Sequence, residues 1–272
     1  MTSPHLAANV ERFMGFARLY DTYRPQPPLI ILNILTQLAQ TSYPSLVVDL
    51  GSGTGLSVVM WSERTAAVVG IEPSADMRRQ AEERTSLLPD ATNVRYQEGL
   101  SHATGLPDGC ADIVTCSQSL HWMEPESTFA EVARILRPGG VFAAYDCDWP
   151  PTMHWQVEQA YHQCIAQAIA IERERGLSRD VRQWDKRQHL ERMRESGHFG
   201  FTKEIVLHHV EEGNADRLVG LALSQGLIAT LLKNGLSRAE IGIETLQEVA
   251  DRTIGNEPMT WYWSYRMRLG VV

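Results

Sequence analysis

A glycine-rich turn directly behind an apolar run is the feature that most constrains how this 272-residue chain can fold. Residues 47–55 read VVDLGSGTG, which predicts a short buried strand, a tight turn and then a helix. Glycine is needed where φ is positive or where a ligand comes close to the backbone. The first N–H groups of a helix also lack a partner within that helix. The turn therefore predicts an α/β fold with a site for a nucleotide-like ligand.

A second apolar run, VVGI at residues 68–71, ends in Glu72. In doubly wound sheets, a carboxylate at the tip of the neighbouring strand can accept both hydroxyls of a ribose. Dinucleotide-binding turns have the form G-x-G-x-x-G or G-x-G-x-x-A, whereas this chain has Leu56 at the last position. The spacing disfavours an NAD-dependent oxidoreductase, which we keep as the alternative enzyme class.

The turn GSGTG, with Asp49 before it and Glu72 after the next strand, resembles the first motif of the class I S-adenosyl-L-methionine (SAM)-dependent methyltransferases. Three later segments resemble motifs of that family in the required order, namely PDGCADIV, CSQSLHW and LRPGGVF at residues 107–114, 116–122 and 136–142. Upstream, YDTYRP at residues 20–25 resembles a segment of the type 11 methyltransferases related to trans-aconitate methyltransferase.

The resemblance implies an α/β fold with a Rossmann-like, seven-stranded sheet. The sheet is expected to be mostly parallel with its last strand antiparallel, with helices on both faces and a helical cap. The apolar pattern agrees, because strand-like and helix-like segments alternate along the chain. The predicted strands cover residues 46–50, 67–72, 94–98, 113–117, 141–146, 201–210 and 259–269. The predicted helices cover residues 7–19, 28–40, 54–61, 75–88, 126–136, 152–175, 215–232 and 238–252.

We expect one structural domain made of three parts. Residues 1–150 form the SAM-binding, Rossmann-like core together with N-terminal helices. Residues 151–200 form a helical segment that completes the core and contributes to a lid. Residues 201–272 form C-terminal β-hairpin strands, with cap helices inserted between them.

The resemblance also implies where SAM is held. The glycine turn packs under the methionine part of SAM, Glu72 accepts the ribose hydroxyls, and Met77 packs on the adenine ring. Arg24 is expected at the carboxylate of SAM, because a guanidinium can bind a carboxylate through two hydrogen bonds. The expected cofactor-binding residues are Tyr23, Arg24, Asp49, Gly51, Ser52, Gly53, Gly55, Glu72, Pro73, Met77, Ser101, His102, Ser117 and Gln118.

His121 and Trp122 follow the fourth predicted strand, where ligands bind in open α/β sheets. Histidine titrates near neutral pH and can therefore act as a general base. His121 is the expected catalytic residue if the methyl acceptor is a hydroxyl or an acidic carbon, whereas an acceptor that is already deprotonated needs no base. The expected substrate-binding residues are Tyr20, His121, Trp122, Trp149 and Trp155.

The predicted function is methyl transfer from SAM to a small-molecule acceptor, with the O, N or C atom left open. A non-catalytic SAM-binding protein is a further alternative. The net charge of −8 argues against nucleic-acid partners, which need a basic face. The chain has no C-x-x-C pair, no histidine spacing typical of a metal site, no membrane-spanning apolar run and no signal peptide at its start. We therefore expect a cytoplasmic monomer or homodimer without a metal or a membrane partner.

Overall fold

The computed structural model describes residues 17–88, 90–177 and 179–272, together with His5 and Asn9. By their internal contacts, the residues form two compact units. The first, which we call the helical unit, comprises Met1–Pro25, Asp148–Val181 and His208–Ser264. The second, which we call the sheet unit, comprises Gln26–Cys147, Arg182–Leu207 and Tyr265–Val272.

Seven strands form one sheet in the order β3-β2-β1-β4-β5-β7-β6. The strands are β1 (Val47–Leu50), β2 (Val68–Ile71), β3 (Val94–Gln97), β4 (Ala111–Ser117), β5 (Leu136–Cys147), β6 (Phe201–Gly213) and β7 (Met259–Val271). Strands β1 to β5 run parallel to one another, and β7 runs antiparallel to β5. The predicted Rossmann-like, seven-stranded sheet is therefore confirmed.

The register brings the ends of the central strands to one edge of the sheet. Leu50 of β1 pairs with Ile71 of β2, and Ser117 of β4 pairs with Tyr145 of β5. The strand order reverses between β1 and β4, and ligands bind at such a switch point, outside the carboxyl ends of the strands. These strands are almost wholly buried because their side chains are apolar and both faces of the sheet are covered.

Helices connect the strands. In chain order they are α1 (Ala17–Tyr23), α2 (Ile30–Leu38), α3 (Ala75–Ser86), α4 (Pro125–Ile135), α5 (Trp155–Arg175), α6 (His189–Glu195), α7 (Ala215–Leu223), α8 (Gly226–Lys233), α9 (Arg238–Ile241) and α10 (Ile243–Thr253). Ser74 caps α3, because its hydroxyl accepts a hydrogen bond from Met77 N–H at 3.4 Å. In the sheet unit, α3 packs on β3, while α2 and α4 pack on β5.

Several predicted boundaries are wrong. The helix predicted over residues 54–61 is a single 3₁₀ turn, Val58–Trp61, because turn residues precede it and two adjacent valines favour helix poorly. The helix predicted over residues 215–232 breaks into α7 and α8, and the one over 238–252 breaks at Gly242, where φ is +88°. Strand β5 begins five residues earlier than predicted, at Leu136. Part of the helix predicted over residues 7–19 lies outside the described residues.

Helix α5 carries the core of the helical unit. Its buried residues are Val157, Ala160, Tyr161, Cys164 and Ala168, the apolar stripe that helical spacing predicts. Helix α10 packs on α5 and α7. Whether these helices act as a cap stays a prediction.

No single helix of the described ranges has both the length and the apolar composition of a membrane span. The pair α7 and α8, bent by 72°, meets those two criteria only when its members are taken together.

Candidate active site at the glycine turn

The three glycines of the turn after β1 all have positive φ, at +65° for Gly51, +55° for Gly53 and +80° for Gly55. A Cβ on Gly51 would lie 2.7 Å from Met123 Cε, and a Cβ on Gly55 would collide with the Tyr96 hydroxyl. At Gly53, by contrast, a Cβ would meet no atom within 4 Å. Gly51 and Gly55 are therefore required by packing, whereas Gly53 borders open space that a ligand could fill.

The carboxylate of Glu72 holds this turn in place. Its Oε2 accepts a hydrogen bond from Gly53 N–H and its Oε1 accepts one from Ser74 N–H, both at 2.9 Å. Burial raises the pKa of Glu72, although the two N–H donors and the charge of Arg78 oppose that rise. The predicted contact of Glu72 with ribose stays a prediction. A carboxylate oxygen has a second lone pair, so both roles are compatible.

Asp49, the acid before the turn, is fully buried on β1. Its Oδ1 accepts a hydrogen bond from Thr115 Oγ1 at 2.6 Å, across the β1–β4 pairing. Its Oδ2 has no hydrogen-bond partner among the described residues. Burial, with a smaller contribution from the charge of Glu72, raises the pKa of Asp49 to about 7. Ser52 Oγ and Thr54 Oγ1 are likewise buried without a described hydrogen-bond partner.

Buried polar atoms without partners are rare, and each calls for an explanation. Three such oxygens, on Asp49, Ser52 and Thr54, belong to the turn or to the strand before it. A polar ligand that enters the open space at Gly53 could supply their missing donors. The residues of the turn therefore fit a polar cofactor such as SAM.

The segment after β4 is anchored to the turn. Ser119 Oγ donates a hydrogen bond to Leu50 O at 2.7 Å. Gln118 has a φ of +55°, a conformation that costs energy and is concentrated at functional sites. Its backbone N–H donates to Tyr145 O at 2.9 Å, and its side-chain amide donates to Cys147 Sγ at 2.6 Å. Ser117 and Gln118 thus end β4 beside β5, where the sequence predicted a ligand.

His121 lies in a 3₁₀ turn, Leu120–Trp122, and its side chain is buried. Its Nδ1 is 3.6 Å from Asp146 Oδ1, near the end of β5. The ring of Trp122 lies 5.0 Å from the His121 ring, centroid to centroid. Sequence reasoning missed Asp146, although an acid at the tip of the strand beside β4 was a signal that could have been used.

The expected adenine-binding residues lie after β2 and β3. Met77 is buried in the first turn of α3, and Pro73 is half-buried just before that helix. Ser101 Oγ shares a hydrogen bond of 2.8 Å with Thr128 Oγ1 on α4, while His102 is exposed. Their contacts with a cofactor stay predictions.

Five expected site residues belong to the helical unit: Tyr20, Tyr23, Arg24, Trp149 and Trp155. The guanidinium of Arg24 lies 4.7 Å from the centre of the Trp149 ring and donates to Ser224 O at 2.9 Å. Trp155 is 69% exposed. The side chain of Tyr20 lies outside the described residues. The roles of these residues in SAM and acceptor binding stay predictions.

In the part of the chain that the structure describes, no group of three or more His, Cys, Asp and Glu side chains is arranged to hold a metal ion.

A family model described as "Methyltransferase domain" matches residues 48–144. Over 126 residues the chain is 31% identical to CRG1 of Saccharomyces cerevisiae, which is assigned as a SAM-dependent methyltransferase; the match covers 46% of this chain and 43% of CRG1. Over 122 residues it is 34% identical to Rv3342, an uncharacterized methyltransferase of Mycobacterium tuberculosis, covering 44% of this chain and 46% of that protein. The matched region thus spans less than half the length of these curated relatives.

Solved structures agree on the fold. A protein from Anaeromyxobacter dehalogenans assigned to the type II methyltransferases superposes with a TM-score of 0.63 at 22% identity, covering 92% of this chain and 98% of that one. YcgJ of Bacillus subtilis superposes with a TM-score of 0.54 at 18% identity, covering 88% and 97%. Residues 48–144 thus match a methyltransferase domain, and the order of the motifs and the seven-stranded sheet support a class I SAM-dependent methyltransferase.

Proposed function

We propose that the protein transfers a methyl group from SAM to a small-molecule acceptor. The observation that carries this proposal is the open space at Gly53, in a turn whose residues Ser52 and Thr54, with Asp49 before them, hold buried oxygens that have no described hydrogen-bond partner. SAM supplies a methyl group bound to a positively charged sulfur, which makes that carbon electrophilic. The remaining chemistry is done by residues that bind, orient and, where needed, deprotonate the acceptor.

The turn offers SAM complementary groups. Asp49 presents a buried acceptor oxygen that would gain from a cationic or N–H-bearing partner. The hydroxyls of Ser52 and Thr54 can each donate or accept a hydrogen bond. Glu72 keeps lone pairs for a ribose hydroxyl while it holds the turn through Gly53. These features support the cofactor contacts that the motifs predict.

The segment after β4, residues 119–123, is suited to line the site where the methyl acceptor binds. Methyl transfer requires the acceptor atom at about 3–3.5 Å from the methyl carbon and in line with its bond to sulfur, and such positioning supplies roughly 7–11 kcal/mol. Ser119 bonds to Leu50 O, and Met123 packs on Gly51. His121 and Trp122 lie between these two anchored residues, so their rings are held in place relative to the turn.

Two observations favour a small acceptor. His121 is buried, so a group that reaches its ring must be narrow. The net charge of −8 disfavours DNA or RNA, because nucleic-acid binding depends on basic residues that release counterions.

Calorimetry with S-adenosylhomocysteine and with NADH tests the cofactor assignment. We expect S-adenosylhomocysteine to bind and NADH not to bind. Binding of NADH alone would overturn the proposal in favour of an oxidoreductase. A second measurement follows radiolabelled methyl transfer from SAM across a panel of small acceptors, where intact binding without any transfer would favour a non-catalytic SAM-binding protein.

A further inference from the structure

Asp146 lies near the carboxyl end of β5 and is almost completely buried, with 4% of its surface exposed. Its Oδ1 is 3.6 Å from His121 Nδ1 and 2.7 Å from Lys186 Nζ. Its Oδ2 is 3.4 Å from Arg268 Nη1. A buried carboxylate is costly unless it is paired, and here cationic groups and one imidazole share it.

We propose that Asp146 is a positioning residue that keeps the ring proton of His121 on Nδ1, so that Nε2 acts as the general base and the methyl acceptor is a hydroxyl compound. This inference rests on the proposed function. A carboxylate beside Nδ1 stabilises a proton on that nitrogen and leaves the opposite ring nitrogen, Nε2, as a proton acceptor. The pair of His121 and Asp146 is thus a histidine base oriented by a neighbouring carboxylate.

The step balances in atoms and charge. The hydroxyl proton of the acceptor passes to His121 Nε2, and the acceptor oxygen forms a bond to the methyl carbon. The bond between that carbon and sulfur breaks, and its electron pair stays on sulfur, giving a neutral thioether. The imidazolium that results is stabilised by the Asp146 carboxylate, and it later loses its proton to water.

Among the described residues, the charged or titratable groups around this pair include Lys186, Arg268, Glu204, Arg192 and His189. Arg268 lies between two acids, because its Nε donates to Glu204 Oε2 at 2.8 Å. His189 is buried, and burial lowers its pKa to about 4, so it carries no charge at neutral pH. The positive charge of Arg192 also lowers the pKa of His189.

Lys186 provides a variant with the opposite expected effect. It contacts the same carboxylate oxygen as His121 does, so it offsets the charge that His121 experiences. Removing the negative charge with Asp146→Asn should weaken proton binding at His121. Removing the positive charge with Lys186→Met should strengthen it. A purely structural role for either residue would not move the titration in these opposite directions.

The experiment is nitrogen-15 magnetic resonance of the full chain labelled at histidine, with S-adenosylhomocysteine added. We expect the neutral ring of His121 to carry its proton on Nδ1. Its titration midpoint should fall by about one pH unit in Asp146→Asn and rise measurably in Lys186→Met. The exposed loop acid Asp90 supplies the matched control, Asp90→Asn, which should leave the midpoint unchanged.

Two results would overturn the inference. One is a neutral His121 ring with its proton on Nε2, and the other is a His121 titration midpoint that is the same in the parent and in both variants. Should Asp146→Asn fail to fold because its charge is buried, the partly exposed Lys186→Met decides alone. If the parent protein does not bind S-adenosylhomocysteine, the proposed function fails instead, which is a separate outcome.

Turnover kinetics provide a second measurement once the panel of small acceptors has yielded a compound that is methylated. Asp146→Asn should lower kcat between tenfold and a thousandfold, with little change in the KM for SAM. The acidic limb of the pH–rate profile should move to lower pH in Asp146→Asn and to higher pH in Lys186→Met. If the protein methylated only acceptors that have no ionisable proton, the role of His121 as a general base would be contradicted.

Discussion

The backbone N–H of Gly53 donates a hydrogen bond to the carboxylate of Glu72, 19 positions further along the chain, at 2.9 Å. The parallel pairing of Leu50 with Ile71 brings the ends of β1 and β2 side by side and makes this contact possible. The acid at the tip of β2 thus holds the turn that follows β1, in addition to any contact it makes with a cofactor.

Glu72→Gln is therefore expected to damage both stability and binding. One of the two N–H donors, on Gly53 or Ser74, would lose its acceptor, because the glutamine amide nitrogen only donates. The free energy of unfolding should fall by about 1–3 kcal/mol, and the affinity for S-adenosylhomocysteine should fall with it. Urea unfolding and calorimetry measure the two effects. Glu98→Gln, at an exposed acid, serves as the control. Equal losses of stability and affinity in both variants would rule out the role of Glu72 in holding the turn.

Gly53→Ala should weaken cofactor binding out of proportion to its effect on folding. A Cβ at Gly53 meets no protein atom within 4 Å, but it would project into the open space where we propose that the ligand binds. The matched control is Gly197→Ala, since Gly197 also has positive φ, at +69°, and open surroundings. Both variants pay about 1–2 kcal/mol for left-handed backbone, yet only Gly53→Ala should lose tenfold or more in affinity by calorimetry. Equal affinities would remove Gly53 from the site.

Asp49 predicts a pH dependence of stability in the unliganded protein. Its pKa rises from 3.8 to about 7 on folding, so the folded state retains a proton that the unfolded state has released between these values. Stability is therefore lost as pH rises from about 4 to about 7 and is constant above that range. Asp49→Asn, which cannot ionise, should gain up to about 4 kcal/mol over the parent at pH 8 and almost nothing at pH 4.

Urea unfolding at several pH values measures this difference. A gap between parent and Asp49→Asn that does not change with pH would mean that Asp49 ionises normally. We expect the stabilised variant to bind S-adenosylhomocysteine more weakly, because the buried carboxylate oxygen is an expected cofactor contact.

His121→Gln should lower the methylation rate while it leaves cofactor affinity almost unchanged. Loss of a general base costs about 10²–10⁴ in kcat, whereas the glycine turn remains intact. The control is His198→Gln, because His198 is exposed and belongs to the same unit. Parallel calorimetry and turnover measurements separate binding from chemistry. A rate equal to that of the parent would remove His121 from the mechanism.

The amino-acid sequence by itself determined the strands and the glycine turn. These features depend on short-range information, because apolar runs make buried strands and glycine permits positive φ. The resemblance of the ordered motifs to those of class I methyltransferases then implied the seven-stranded sheet.

Only the tertiary structure decided which atoms meet. Glu72 reaches Gly53, and Asp146 lies beside His121, because strand pairing brings together residues that are distant in sequence. Side-chain partners depend on register, burial and rotamer together, and no local pattern of residue types contains all three.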